Sequence, residues 1–169
     1  MSYSVIQLGH FPKSLEAQTW LAQLAIQLKI FDTKEALLAS EAQPNLDVEG
    51  LMCMVSHRID RMLLDRLPNL KVIASYGAGT DHLDLPLMAE RGIRVSNTPS
   101  VLHETTADLT WALLLSASRR IVESDAFMRS GAFTGWQADL HLGMDIHHKT
   151  LGIVGMGEIG RAVARRARG

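Results

Sequence analysis

Short apolar runs alternate with helix-type periodicity along the first hundred residues. Val5 to Leu8 is an apolar run ended by Gly9 and reads as a strand. Ser14 stands as a helix cap before Ala17, Trp20, Leu21, Leu24, Ala25 and Leu28, an i, i+3, i+4 series that predicts one amphipathic helix. Ile30 and Phe31 mark a second strand, and Ala36 to Leu38 a short helix. Pro44 and Asn45 break the chain. Leu51 to Val55 is the third strand, Ile59, Met62, Leu63 and Leu67 a helix stopped before Pro68, and Val72 to Ser75 the fourth strand. Leu85 to Arg91 reads as a helix closed by Gly92, and Ile93 and Val95 start the next strand. Several strands are continuous apolar runs, the pattern of a parallel sheet buried on both faces by helices. Pro99 ends this alternation, which places a domain boundary at Asn97 to Ser100 and gives domains of 1–99 and 100–169.

The second segment opens with the most apolar helix of the chain, His103 to Arg120. Its apolar residues, Leu109, Trp111, Leu113 and Leu115 among them, run round most of the circumference, so it needs burial on several sides, as a central core helix and in part by a second subunit. Ile121 to Met128 continues as helix, and Gly131 to His148 reads as an extended arm with Phe133 and Trp136 as its large aromatic residues. Then comes Thr150 to Gly160, T-L-G-I-V-G-M-G-E-I-G. Leu151, Ile153 and Val154 are of strand type, Gly155, Gly157 and Gly160 fall as G-x-G-x-x-G, and a helix-type sequence follows at once. In a dinucleotide site the first glycine makes the turn, the second lets a pyrophosphate approach the backbone, and the third lets the helix pack closely. The helix N-terminus then faces the phosphates. No Lys-Ser/Thr follows, so this is not a P-loop.

Composition narrows the classes. A net charge of −1 gives no electrostatic reason to expect nucleic acid or an anionic membrane as partner. Cys53 is the single cysteine, so no internal disulfide can form, and its apolar surroundings predict a reduced core thiol. No basic-then-apolar leader and no spanning apolar run is visible, which reads as a soluble cytoplasmic protein. His10, His57, His82, His103 and His141 show no ligand spacing, and the adjacent His147 and His148 cannot converge on one ion, so no metal is expected. Asp81 and Asp84 read as helix caps, and Arg161, Arg165, Arg166 and Arg168 as a solvated helix face. In an open α/β sheet ligands bind beyond the carboxyl ends of the strands. Two loops of the first domain qualify, Ser56-His57-Arg58 and Tyr76 to Asp81. In the second, Gly77 and Gly79 flank Ala78, which lets backbone N–H groups face a small anion such as a carboxylate as a nest; a tight turn without ligand fits the same spacing.

Five segments in order carry a family likeness: Y-G-A-G-T-D-H-L-D (Tyr76 to Asp84), G-I-R-V-S-N-T-P (Gly92 to Pro99), T-T-A-D (Thr105 to Asp108), S-R-R (Ser118 to Arg120) and H-H-K-T-L-G-I-V-G-M-G-E-I-G (His147 to Gly160). From about Gly50 onward the chain resembles the D-isomer-specific 2-hydroxyacid dehydrogenases, in the glyoxylate/hydroxypyruvate and 2-ketogluconate reductase branch. The resemblance implies an α/β chain: a flavodoxin-like substrate domain with a parallel sheet, then the start of a Rossmann NAD(P)-binding domain. It implies an enzyme that moves a hydride from NADPH or NADH to a small 2-keto acid, giving the D-2-hydroxy acid, and a homodimer built by the long helix. By the same resemblance Val55, Gly77, Ala78 and Gly79 bind the substrate, and Thr106, Gly155, Met156, Gly157, Glu158, Ile159 and Gly160 bind the cofactor. The family more often carries Arg at the position of Glu158, where a carboxylate opposes a pyrophosphate. Its catalytic Arg, Glu and His correspond to positions beyond Gly169, so no catalytic residue is expected within the chain. The alternative is a catalytically inactive truncated fragment that acts as a binding or dimerising module.

Overall fold

The computed structural model describes residues 2–12, 14–40 and 47–168. It divides into two compact units, Met1–Pro99 and Ser100–Gly169. The break expected at Pro44 and Asn45 lies outside the described residues.

In the first unit the elements run β1 (Tyr3–Leu8), α1 (Leu15–Gln23), β2 (Ile26–Phe31), α2 (Lys34–Ala39), β3 (Val48–Met54), α3 (Arg61–Asp65), β4 (Val72–Tyr76), α4 (Leu85–Glu90) and β5 (Arg94–Ser96). The sheet order is β2-β1-β3-β4-β5, with every pairing parallel. This is the flavodoxin-like order, and its direction reverses between β1 and β3. One face is fully built. Ile6, Leu8, Leu51, Cys53 and Ile73 belong to the same buried core as Leu37 of α2, Leu63 and Leu64 of α3, and Leu87 and Met88 of α4. Capping side chains start these helices. Ser14 Oγ accepts the Ala17 N–H at 2.9 Å, and Asp84 Oδ1 accepts the Leu87 N–H at 3.1 Å.

Two expectations need correction here. The periodic series does not make one helix as far as Leu28. The chain leaves α1 after Gln23, Ala25 takes a left-handed φ of 51°, and Leu28 lies in β2 beside Val5. Position 28 satisfies both rhythms at once, i+4 from Leu24 and i+2 from Ile26, so periodicity could not separate them. Nor is the sheet buried equally on its two faces. Leu28, Ile30, Met52 and Ala74 border a cavity of about 730 Å³ that α1 lines through Ala17, Gln18 and Leu21. No residue of α1 is buried, and Trp20 remains 57% exposed.

Asp60 serves twice. Its Oδ1 caps α3 through the Leu63 N–H, and its Oδ2 pairs with Lys34 Nζ of α2, which is largely buried. The Lys34 ammonium, more than the cap, holds the Asp60 carboxyl below the usual carboxylate range. A depressed carboxylate stabilises the fold above its unfolded value, and that contribution fades as pH falls through the folded value. Asp60→Asn keeps the cap acceptor and loses the ion pair. It is expected to make chemical unfolding less pH-dependent below about pH 4 than in the parent.

The second unit holds α5 (His103–Ser118), α6 (Ile121–Arg129) and α7 (Glu158–Arg166). The helix expected to run on to Met128 is broken by Arg120 at φ 54°. The arm is not extended throughout. Met144 N–H donates to the Ser118 carbonyl at 2.7 Å, and Gly143 lies so close to that carbonyl that a Cβ would come within 2.4 Å of it. The His141 ring packs at a tilt of 51° against Phe127, with centroids 4.8 Å apart, while Trp136 is 85% exposed. Leu151 to Val154 is not a strand. A strand needs a hydrogen-bonded neighbour, and no described strand pairs with it. Leu151 and Ile153 instead pack on Ala107, Ala162 and Val163 together with Trp111, whose indole N–H donates to the Val163 carbonyl at 3.0 Å. Two of the arginines read as solvated are tied down. Arg166 meets Glu104 at 2.8 Å and Asp108 at 2.7 Å, and Arg165 also pairs with Glu104.

Candidate functional site

In the first unit the segments after β1, β3 and β4 leave the carboxyl edge of three neighbouring strands. A Cβ on Gly9, after β1, would lie 2.9 Å from the His57 ring, so the first two segments touch. The segments after β3 and β4 are joined by a bridge, with the Ile59 N–H donating to the His82 carbonyl at 2.9 Å. This edge includes the point of reversal in strand order, where sheets of this kind place ligands.

The four residues expected to bind substrate fall here. Val55 and Gly77 are in contact: a Cβ on Gly77 would sit 2.3 Å from Val55 Cγ1. Gly77 therefore serves by making room, and neither Gly77 nor Gly79 takes a positive φ. The loop is shaped by other bonds. The Gly77 N–H turns back to the Ser75 carbonyl, the Thr98 N–H donates to the Gly77 carbonyl at 2.9 Å, and Asn97 Nδ2 donates to the Ala78 carbonyl at 2.8 Å. With these carbonyls engaged, the exposed Ala78 and Gly79 N–H groups find no acceptor among the described residues. They are two adjacent donors of the kind a carboxylate oxygen accepts. Asp84 caps α4 as expected, whereas Asp81 caps nothing and lies beside Gly79.

Cys53 is the buried free thiol expected, but its meeting with Ser75 and His82 beneath this loop escaped sequence reasoning. Ser75 Oγ is 3.0 Å from His82 Nε2, and Cys53 Sγ is 4.0 Å from the same nitrogen. Burial pushes the Cys53 thiol up to about 11, against a smaller lowering by Ser75, and holds His82 below the ordinary histidine value, against a smaller raising by Asp81. The alternation of β4 put Ser75 on the buried face. That was the one signal available, since a buried hydroxyl needs a partner.

The second unit contains the glycine turn. Gly155 is left-handed at φ 91°. Gly157, in extended conformation, caps α7 without a side-chain bond, and a Cβ there would meet nothing within 4 Å. A Cβ on Gly160 would stand 2.2 Å from the Gly155 carbonyl oxygen and 3.5 Å from Ile153 Cγ2. Gly155 and Gly160 thus each have a physical reason, a turn and a backbone contact, while Gly157 faces open space before the helix N–H groups. A phosphate-bearing cofactor fits that open space. Met156 and Ile159 flank it at 56% and 45% exposure. Glu158 Oε1 accepts a hydrogen bond from Ser100 Oγ at 2.7 Å, with Ser100 itself at φ 60°. Thr106 stands in the first turn of α5, where its carbonyl accepts the Thr110 hydroxyl, and among the described residues no hydrogen bond joins it to the glycine turn. Among the described residues no group of three or more His, Cys, Asp or Glu could hold a metal ion, and no helix is long and apolar enough to cross a membrane.

Comparison with known proteins gives a consistent set of likenesses. The sequence profile of the D-isomer specific 2-hydroxyacid dehydrogenase catalytic domain matches residues 12–159. A glyoxylate reductase of Thermococcus litoralis is 49% identical over 127 residues, a match that takes in 73% of this chain and 38% of the relative. A protein of Thermus thermophilus of known crystal structure superposes with a TM-score of 0.87 at 43% identity, over 98% of this chain and 52% of that one. An NADPH-dependent glyoxylate/hydroxypyruvate reductase from Sinorhizobium meliloti, in complex with NADP and malonate, gives 0.80 at 27% identity, over 99% of this chain and 50% of its own. The chain thus spans 38% of the curated relative and about half of these solved structures.

Proposed function

The chain belongs to the D-isomer-specific 2-hydroxyacid dehydrogenase family, and from that premise we propose that the intact protein is an NADPH- or NADH-dependent reductase of a small 2-keto acid. Glyoxylate, hydroxypyruvate and 2-ketogluconate are the candidate substrates, and the product is the D-2-hydroxy acid. The observation that carries this reading is the turn at Gly155 to Gly160, in which one glycine is left-handed, one opens onto space and one touches backbone.

On this reading Met1–Pro99 is the substrate domain and Ser100–Gly169 begins the cofactor domain. The Ala78 and Gly79 N–H groups take the substrate carboxylate, and Val55, packed on Gly77, limits the space beside it. Gly155 to Gly160 and the first turn of α7 hold the pyrophosphate, with Thr106 as a further contact. The bound nicotinamide supplies the hydride. None of the seven histidines is assigned as the acid that protonates the keto oxygen. α5 exposes Leu109 and Leu113, 58% and 62%, and a second copy of the chain is the proposed cover. A cytoplasmic location is part of the proposal.

The test is turnover of glyoxylate and hydroxypyruvate by the intact protein, followed as loss of reduced-nicotinamide absorbance. No oxidation with any 2-keto acid overturns the reading. For the 169-residue chain by itself, one observation favours a non-catalytic module: among the described residues Leu151 to Val154 pairs with no strand that would hold the turn in place. Calorimetry on that chain is expected to show weak NADPH binding.

Glu158 tunes the same site. Its carboxylate stands at the first position of α7, where a phosphate would also seek the positive helix end. Glu158→Gln keeps an acceptor for Ser100 and removes the charge. It is expected to tighten NADPH binding by roughly two- to fivefold, the scale of one helix-end charge, read by fluorescence titration.

A further inference from the structure

We infer that His82 is the positioning residue of the substrate-carboxylate loop: its ring, held by Ser75, pegs the Gly77 to Asp81 segment to the sheet, and its main chain ties in the loop after β3. The inference rests on the carboxylate-binding reading above and adds to it the element that holds the donors still.

The geometry has three parts. His82 lies five residues past Gly77, at the far end of the loop, and its ring reaches back beneath the loop to Ser75, the last buried residue of β4, with Oγ to Nε2 at 3.0 Å. The same nitrogen is 4.0 Å from Cys53 Sγ on β3, so the ring spans the ends of two adjacent strands. The His82 carbonyl accepts the Ile59 N–H at 2.9 Å, and the next residue, Leu83, closes the loop by donating to the Thr80 carbonyl at 2.9 Å. One residue therefore fixes both candidate loops. No other side-chain bond from within Gly77 to His82 reaches the strands among the described residues; Asn97 holds only the Ala78 carbonyl, from the β5 side. Two backbone donors bind an anion well only when their directions are fixed beforehand. Without the peg, the Ala78 and Gly79 N–H groups would have to be ordered by the ligand itself.

The ring works in its neutral form, which can accept the Ser75 hydroxyl proton at Nε2. The titratable groups facing it are Cys53, which stays a thiol, and Asp81 on its own loop. Burial outweighs Asp81, so protonation is resisted until the pH has fallen below the ordinary histidine range.

The experiment follows the amide resonances of Ala78 and Gly79 in the 169-residue chain as oxamate, a small 2-keto-acid mimic, is added. In the parent these amides are expected to shift saturably. Ser75→Ala, a small change that removes only the hydroxyl, is expected to weaken oxamate binding about tenfold, the scale of one lost hydrogen bond, with a lowered urea midpoint but a chain still folded at the start of the titration. The pH profile separates positioning from packing: affinity in the parent holds until the pH has fallen below the ordinary histidine range and then declines, and in His82→Gln that decline is absent. Should His82→Gln fail to fold, the Ser75→Ala titration stands alone. Equal oxamate affinity in parent and Ser75→Ala overturns this inference and leaves the carboxylate reading intact. No shift of either amide in the parent overturns both.

Discussion

Replacing Gly160 with alanine is expected to abolish useful cofactor binding, although alanine is the better helix former by about 1 kcal/mol. The added Cβ would lie 2.2 Å from the Gly155 carbonyl oxygen, and a backbone atom cannot rotate out of the way. Either α7 moves off the turn or the Gly155 peptide reorients. Both change the directions of the first helix N–H groups relative to the phosphate space in front of Gly157. Overpacking of this kind costs about 1–3 kcal/mol, enough to cancel the propensity gain. A displacement near an ångström is expected to lower kcat/KM of the intact protein on the order of a hundredfold. Fluorescence titration with NADPH, beside steady-state kinetics, measures it. Parent-like affinity in Gly160→Ala would show that the close approach of turn and helix is not what shapes the site.

Gly77→Ala is expected to raise KM for the 2-keto acid on the order of tenfold while leaving NADPH affinity unchanged. The reason differs from the first case, because the clash is with a side chain. A Cβ at Gly77 would stand 2.3 Å from Val55 Cγ1, and valine has few rotamers into which to retreat. Val55 therefore pushes the loop that carries the Ala78 and Gly79 donors. Since Gly77 has no positive φ, nothing in its own backbone objects to alanine. The double variant Gly77→Ala with Val55→Ala removes the opposing methyl and is expected to return KM to within roughly threefold of the parent. Non-additivity in that cycle is the signature of contact, and additive losses would refute it.

Much of this was legible in the residues. Apolar runs alternating with capped helices give a parallel α/β sheet, because strands buried by crossover helices have no polar face to show. The spacing of Gly155, Gly157 and Gly160 pointed to a phosphate turn; the structure gives Gly155 a positive φ and Gly160 a backbone contact, and leaves open space at Gly157. What could not be read depends on neighbours distant in sequence. Leu28 fits a helix and a strand equally, and only pairing with Val5 decides. Leu151 to Val154 has strand composition, yet composition supplies no partner strand. Arg165 and Arg166 look like exposed charge until Glu104 and Asp108 come alongside from some sixty residues away. The use of Gly77 is legible only once Val55 is seen against it, and the role of His82 only once Ser75 is seen under its ring.

The lone thiol carries a practical consequence. Cys53 is wholly buried in the core, and burial pushes its pKa up to about 11, so near neutral pH it offers almost no thiolate to an electrophile. A maleimide fluorophore should therefore ignore the native chain and react only with a cysteine introduced at an open position such as Val154, beside the glycine turn. A dye there would report on the arrival of a dinucleotide without any native cysteine having to be removed first.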